Sequence, residues 1–390
     1  MTTTKNNEHK KLNVPNLRFP EFQGEWENCT LGDLCNVLMC KRILASQTNT
    51  EEGVPFYKIG TIGNAPDAYI SKELFDDYKT KYNYPHKGEV MITCAGTVGK
   101  CVIYDGKDAY FQDSNIVWID NPSQCISNSF LYHLLAKVDW RKLNSTTIIR
   151  IYNDDLRNLK LSYPQIEEQQ KISRLLSFLD ERIATQNKII EDLKKLKSAI
   201  IEKLYKGIQG TWYSYRQLFS IINERNKQLE YSNVLSASQE RGMVSREDLN
   251  LYIHFERSNI STYKIVKNGD YVIHLRSFQG GFAFSEQTGI CSPAYTVLRP
   301  NNLLVYGYLS NYFISRDFVK SLIIVTYGIR DGRSINVDEW LDMKVVIPSK
   351  EQQTHIVNVI ESIENKIKNE ETYSNCLLNQ KQYMLRQMFI

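Results

Sequence analysis

Two stretches of the chain repeat an apolar residue at alternating four- and three-residue steps. In the first, Ile172, Leu176, Leu179, Ile183, Gln186, Ile190, Leu193, Lys197, Ile200 and Leu204 hold the pattern. In the second, Ile356, Ile360, Ile363, Ile367, Glu370, Ser374, Leu377, Lys381, Met384 and Met388 occupy the same ten positions. A mean step of 3.5 residues sustained over five heptads predicts a helix with a seam made to meet another helix. Each helix covers about 40 residues, or roughly 60 Å at 1.5 Å per residue. The polar interruptions coincide, Gln186 with Glu370 and Lys197 with Lys381. Seam lysines of this kind set register or snorkel to solvent more often than they bind a partner.

The two stretches belong to a longer repeat. Residues 150–206 lie on residues 334–390 at a constant offset of 184, so Ile151 meets Ile335, Asp154 meets Asp338, Pro164 meets Pro348 and Gln169 meets Gln353. Each copy reads as a short strand, a proline stop, then a helix whose first turn carries Glu and Gln. A second echo, Gln23-Gly24-Glu25-Trp26 with Gln209-Gly210-Thr211-Trp212, has an offset of 186 and marks the start of each half. Between the echoes, residues 30–150 and 215–330 show short β-type runs punctuated by Gly, Asn and Asp. Lys87-Gly88-Glu89-Val90-Met91-Ile92 resembles Asn268-Gly269-Asp270-Tyr271-Val272-Ile273, a turn feeding a strand, but beyond such skeleton positions the side chains diverge. The expected fold class is α/β (α+β): two tandem repeats, each a β-rich domain followed by a long helix, the two helices pairing as an antiparallel coiled coil.

Composition narrows the class. Apolar residues are 42% and charged residues 24% of the 390, with 24 Tyr and 15 Phe, the balance of a globular protein. Residues 1–11 are polar with no apolar core of a signal peptide, and no run approaches 18 apolar residues, so the expected address is the cytoplasm. The eight cysteines include no CxxC pair and the six histidines no ligand-spaced cluster, which points to incidental thiols and no metal site. A net charge of +4 is modest for a protein gripping duplex DNA alone. If DNA is the ligand, other subunits share the phosphate contacts.

The Gly-x-Trp start, the hydrophobic-Pro-x-x-Glu-x-Gln step and the long helix, repeated in order around divergent segments, resemble the specificity subunit of type I restriction-modification enzymes. The resemblance covers residues 17–390. It implies a flexible start over 1–16, target recognition domains over 17–158 and 209–342, and helical conserved regions over 159–208 and 343–390. It also implies double-stranded DNA as ligand, two modification (methyltransferase) subunits and restriction (motor-nuclease) subunits as partners, and no membrane. The chain would have no catalysis and no cofactor of its own; the partners would bring S-adenosylmethionine, ATP and Mg²⁺. Unlike modules held on a rigid spacer would read an asymmetric two-part target, with half-sites about one helical turn apart. They would direct adenine N6 methylation and ATP-dependent cleavage.

Candidate DNA contacts are polar loop residues beside glycines and cations, where a backbone can approach DNA closely. In the first module these are Lys58, Thr61, Thr93, Gly96, Thr97, Lys100, Thr146 and Arg150. In the second they are Ser238, Gln239, Arg241, Arg276, Ser277, Gln279, Arg330 and Arg333, of which Arg276 and Gln279 suit guanine and adenine edges. Enzymatic readings are weaker. No Pro-Pro exists for an adenine methyltransferase loop, and Cys94 to Cys101 lacks the leading Gly and the Ser/Thr of a phosphate loop. Pro66-Asp67 with Asp77-Tyr78-Lys79 matches a loose metal-nuclease pattern that an ordinary turn and charged surface explain as well. The rival from another class is a non-catalytic coiled-coil scaffold displaying two protein-binding β modules.

Overall fold

A computed structural model describes residues 12–143, 150–238, 241–249, 257–274, 281–327 and 334–390. The chain forms two compact units, one of residues 1–186 with 373–390 and one of residues 187–372. This division passes through both long helices, Ile166–Tyr205 and Lys350–Gln387, so each unit holds one stretch of each.

The first unit is built on strands β1 (Glu27–Thr30), β2 (Asn36–Leu38), β3 (Val54–Tyr57), β4 (Tyr69–Ile70), β5 (Val90–Thr93), β6 (Cys101–Ile103), β7 (Tyr110–Phe111), β8 (Ile116–Asp120) and β9 (Lys160–Tyr163). A four-stranded sheet runs in the order β2-β8-β5-β6, a three-stranded one β4-β3-β7, and β1 pairs with β9. All four residues of the central β5 are buried, which is why it reads as a continuous apolar run and not an alternation. Over this sheet lies the helix Asn128–Lys137, opened by a Ser127 side chain that caps Phe130 N.

The second unit contains β10 (Thr211–Ser214), β11 (Phe219–Ile222), β12 (Leu235–Ser238), β13 (Gly242–Ser245), β14 (Lys264–Val266), β15 (Tyr271–Ile273), β16 (Phe282–Phe284), β17 (Gly289–Cys291), β18 (Thr296–Pro300), β19 (Thr326–Tyr327), β20 (Ser334–Ile335) and β21 (Lys344–Ile347). Its four-stranded sheet, β11-β18-β15-β16, has the topology of β2-β8-β5-β6, and β10 with β21 repeats β1 with β9. The turn glycines Gly88 and Gly269 that feed the central strands both have φ +92°, a left-handed conformation open to glycine.

The heptads are a helix seam. Every one of the twenty positions is buried or half-buried. In the first unit Asp180 pairs with Lys381 and Arg182 donates to the Tyr373 hydroxyl, 3.0 Å away. In the second, Lys194 pairs with Glu371 at 2.7 Å and Lys197 with Glu364 at 2.6 Å. As one helix ascends the other descends, so within each unit the stretches are antiparallel. Lys197–Glu364 and Asp180–Lys381 are also the same pair carried over by the 184-residue repeat. Such pairs contribute at most about 1 kcal/mol each, so the apolar seam carries the association and the lysines set register.

The Gly-x-Trp echo is corrected by the sheet registers. Asn28 pairs with Ser162 and Trp212 with Val346, positions related by 184, so Trp212 is the counterpart of Asn28 and not of Trp26. Trp26 is 3% exposed, edge-on to Phe130 and Phe389, whereas Trp212 is 65% exposed. The start of the first unit is also tied down: Asn13 exchanges backbone and side-chain bonds with Trp26, and Arg18 forms an ion pair with the buried Glu168 at 2.7 Å. Among the described residues no helix is long and apolar enough to cross a membrane, no cluster of potential metal ligands exists, and all eight cysteines are free.

Candidate nucleic-acid interface

In the first unit the predicted contacts converge on one end of the sheets. Strands β3 and β7 are parallel, so their carboxyl ends lie side by side, with Gln112 N donating to Tyr57 O at 2.9 Å. Beyond β3 the chain turns at once: Thr61 N and Ile62 N both donate to Lys58 O at 3.0 Å, and Lys58 N donates to the Thr61 hydroxyl at 3.0 Å. Beyond β5 the loop to β6 closes through Thr93 N to Lys100 O at 3.0 Å and Gly99 N to Thr93 O at 2.8 Å. These two loops touch. The Thr97 hydroxyl donates to Ile59 O at 3.3 Å and Lys100 Nζ to Ile62 O at 2.5 Å. Gly96, at φ +66°, lets the backbone ride over Ile59: a Cβ there would stand 2.7 Å from Ile59 Cδ1. Arg150 joins the same end, its Nη2 donating to Ser114 O at 3.2 Å, while Ile151 N reaches Cys94 O at 2.9 Å.

The structure thus brings together Lys58, Thr61, Gly96, Thr97, Lys100 and Arg150. Thr93 is a correction. It is fully buried, and its hydroxyl bonds Thr97 O and accepts from Lys100 N at 3.1 Å, so it shapes the loop and cannot meet a ligand. Thr146 lies outside the described residues. Two further residues share this end without having been singled out: Arg42, paired with Asp113 at 2.9 Å, and the exposed Tyr152, whose ring lies 5.9 Å from the Arg150 guanidinium. The Lys41-Arg42 pair of cations was the available signal for the first. Nothing local marked Tyr152.

In the second unit Ser238 and Arg241 sit at the tip of the β12–β13 hairpin, with Arg241 N 3.4 Å from the Ser238 hydroxyl and Arg241 Nη2 3.3 Å from Asp248 O. Gly242 beside them packs on Phe284, where a Cβ would come within 2.4 Å of the carbonyl oxygen. Phe284 pairs with Tyr271, at the end of the β15–β16 hairpin away from the His274–Gly281 closure. Ser238 and Arg241 are therefore not gathered at that closure. Gln239, Arg276, Ser277, Gln279, Arg330 and Arg333 lie outside the described residues; Arg276, Ser277 and Gln279 fall between β15 and β16, and Arg330 and Arg333 between β19 and β20. The β15–β16 link is the counterpart of the β5–β6 loop in the shared sheet order.

Burial pushes the thiols of Cys94 and Cys101, which flank the β5–β6 loop, up to about 12, so neither supplies a thiolate nucleophile. The residues of the loose nuclease pattern are spent in separate ion pairs, Asp67 with Lys58 at 3.0 Å, Asp77 with Lys81 at 2.5 Å and Lys79 with Asp108 at 3.0 Å. They do not converge.

The two β-rich modules share one sheet topology, each is followed by a long helix, and in the first module polar loops and cations gather at one sheet end. Residues 23–195 match the family model of the type I restriction modification DNA specificity domain. A putative type I restriction enzyme specificity subunit of Haemophilus influenzae is 50% identical over 163 residues, a stretch spanning 42% of this chain and 42% of that relative. Over 92% of this chain and 91% of its own length, the putative type I restriction enzyme MjaX specificity subunit of Methanocaldococcus jannaschii is 22% identical. The crystal structure of a type I restriction-modification S subunit from M. genitalium has the same fold, with a TM-score of 0.56 at 14% identity, over 97% of this chain and 99% of that one. A chain from a structural study of the assembly and conformational transition of the type I system gives 0.57 at 15% identity, over 92% and 96%. The chain is thus similar to type I restriction enzyme specificity subunits over most of its length, and its residues 23–195 match the specificity-domain model.

Proposed function

We propose that the chain reads an asymmetric, two-part duplex DNA target, one half-site per module, and directs adenine N6 methylation and ATP-dependent cleavage in the cytoplasm. Two modification subunits and the restriction subunits perform the chemistry, with S-adenosylmethionine, ATP and Mg²⁺; this chain contributes recognition and no catalysis. The observation that carries the reading is one sheet topology used twice, with unlike residues at the β5–β6 and β15–β16 loops. A common frame with divergent loops is what two readers of different base sequences need, since base edges are read by side chains while the phosphates position the protein. Lys58, Lys100, Arg42 and Arg150 supply cations to the first such surface, and Tyr152 an aromatic face.

Co-expression with the neighbouring methyltransferase subunit, followed by genome-wide mapping of N6-methyladenine, tests this. The expected result is methylation at a single two-part motif, one half of which changes when residues 30–150 are exchanged for those of a relative. A stable complex that leaves no motif-specific methylation would overturn the reading in favour of a protein-binding scaffold.

A further inference from the structure

Two glutamines do one job in both units. Gln169, in the first turn of the first long helix, is completely buried. Its Oε1 accepts from Ser127 N at 2.7 Å, and its Nε2 donates to Cys125 O at 2.9 Å and to Pro164 O at 2.8 Å. Gln353, also completely buried, accepts from Val305 N at 2.8 Å and donates to Leu303 O and Pro348 O, both at 3.0 Å. Each amide spends both of its N–H donors and one acceptor site on three backbone groups. Two of those groups lie in the globular module, just past its last sheet strand (β8 or β18), and the third is the proline step into the helix. The side chain is thus a three-way tie between a recognition module and the helix that carries it. Burial makes the tie stringent, because a partner left unsatisfied inside the protein bears its full desolvation cost.

We propose that Gln169 and Gln353 are positioning residues that lock each module at a fixed angle on its helix, and so set how strictly the spacing between the two half-sites is enforced. The inference rests on the DNA-reading function proposed above. Gln169 does not reach the candidate DNA surface: its amide binds residues 125 and 127, which follow β8, whereas the loops around Lys58 and Thr97 lie at the end of the sheet where β8 begins. Gln169 therefore acts on geometry and not on base choice.

The test uses the intact methyltransferase complex and a set of duplexes carrying the mapped half-sites with the spacer at its natural length, one base pair shorter and one longer. Gln169→Glu keeps the volume and the acceptor but sets a carboxylate against two carbonyl oxygens; Gln169→Met removes the polar group. Each should lower the ratio of methylation at the natural spacer to that at the altered spacers by tenfold or more, with the preferred bases in both half-sites unchanged. A ratio that stays at the wild-type value, including a proportional fall on all three duplexes, would overturn the proposal. If a Gln169 substitution blocks assembly, the same ratio is read with Gln353→Glu and Gln353→Met. A wild-type complex with no two-part motif would instead reject the parent reading, and this proposal with it.

Discussion

At the base of the central strand the two modules solve one problem in opposite ways. Glu89 and Asp270 both follow the left-handed glycine, both are buried, and each accepts a backbone N–H from three residues upstream, His86 at 2.7 Å and Lys267 at 2.8 Å. In the second module the neighbouring strand then offers Arg299, which grips Asp270 through Nε at 2.9 Å and Nη2 at 2.8 Å. At the same place in the first module stands Asp120, a second carboxylate, held by Asn36 Nδ2 at 2.9 Å. Burial pushes the Glu89 carboxyl up, and the charge of Asp120 adds to it. A cleft of about 550 Å³ opens beside the pair. The frame is shared, but the electrostatics inside it are not, so each module has its own way of being destabilised.

The largest expected effect follows from that contrast. Arg299→Ala strands a buried carboxylate and should cost the second unit about 3 kcal/mol, whereas Asp120→Ala relieves a like-charge contact and should change the first by no more than about 0.5 kcal/mol. Asp120→Arg should go further and stabilise the first unit by about 1 kcal/mol, by copying the bidentate pair. Urea melts of the three variants check the order; equal losses from Arg299→Ala and Asp120→Ala would show that the two sites are not counterparts.

A second difference sharpens the comparison through pH. Eight residues beyond Cys125 stands His133, on the Asn128–Lys137 helix; eight beyond Leu303 stands Asn311, in a run of turns that includes Gly307 at φ +72°. His133 is buried, with Nδ1 4.0 Å from Asp180 Oδ2. Burial lowers its pKa from 6.5 to about 4, Asp180 opposing and Lys381 assisting. The folded state thus holds the neutral ring. This stabilisation is complete above 6.5 and is lost as pH falls towards 4, by up to about 3 kcal/mol. Melting temperatures at pH 7 and pH 5 should differ less in His133→Asn than in the parent; an unchanged difference would assign the acid sensitivity elsewhere.

The smallest effect on stability belongs to the candidate DNA surface. Lys58 and Arg42 are in exposed ion pairs, so Lys58→Ala and Arg42→Ala should each cost less than about 0.5 kcal/mol. Removal of a cation that meets a phosphate should nonetheless reduce the magnitude of the log–log salt slope of DNA binding by about 0.9. A slope identical to that of the parent would remove that residue from the surface.

The seam and the repeat were legible because they rest on periodicity: a residue every three or four positions must face one way on a helix, whatever surrounds it. The strand–proline–helix step was legible for the same local reason. The Gly-x-Trp echo misled because a tryptophan's burial is decided by distant partners; Trp26 is covered by Phe130 and Phe389, and Trp212, two residues out of step, has no such cover. Thr93 misled in the same way. A threonine beside a glycine-rich loop looks like a ligand contact until the loop folds back on its hydroxyl. The convergence of Lys58 with Thr97 and Lys100 depends on the parallel pairing of β3 with β7, a contact across more than fifty residues that no local pattern announces. Gln169 and Gln353 were visible as a repeated letter, but their role was not, since all their partners are main-chain atoms.

That last point reaches past stability. Neither the socket of Ser127 N with Cys125 O nor that of Val305 N with Leu303 O checks a side chain of the module it holds. Any segment that brings an amide and a carbonyl to those two places will seat, whatever sequence it carries elsewhere. The same joint would therefore accept a module of different sequence without the loss of any of these hydrogen bonds.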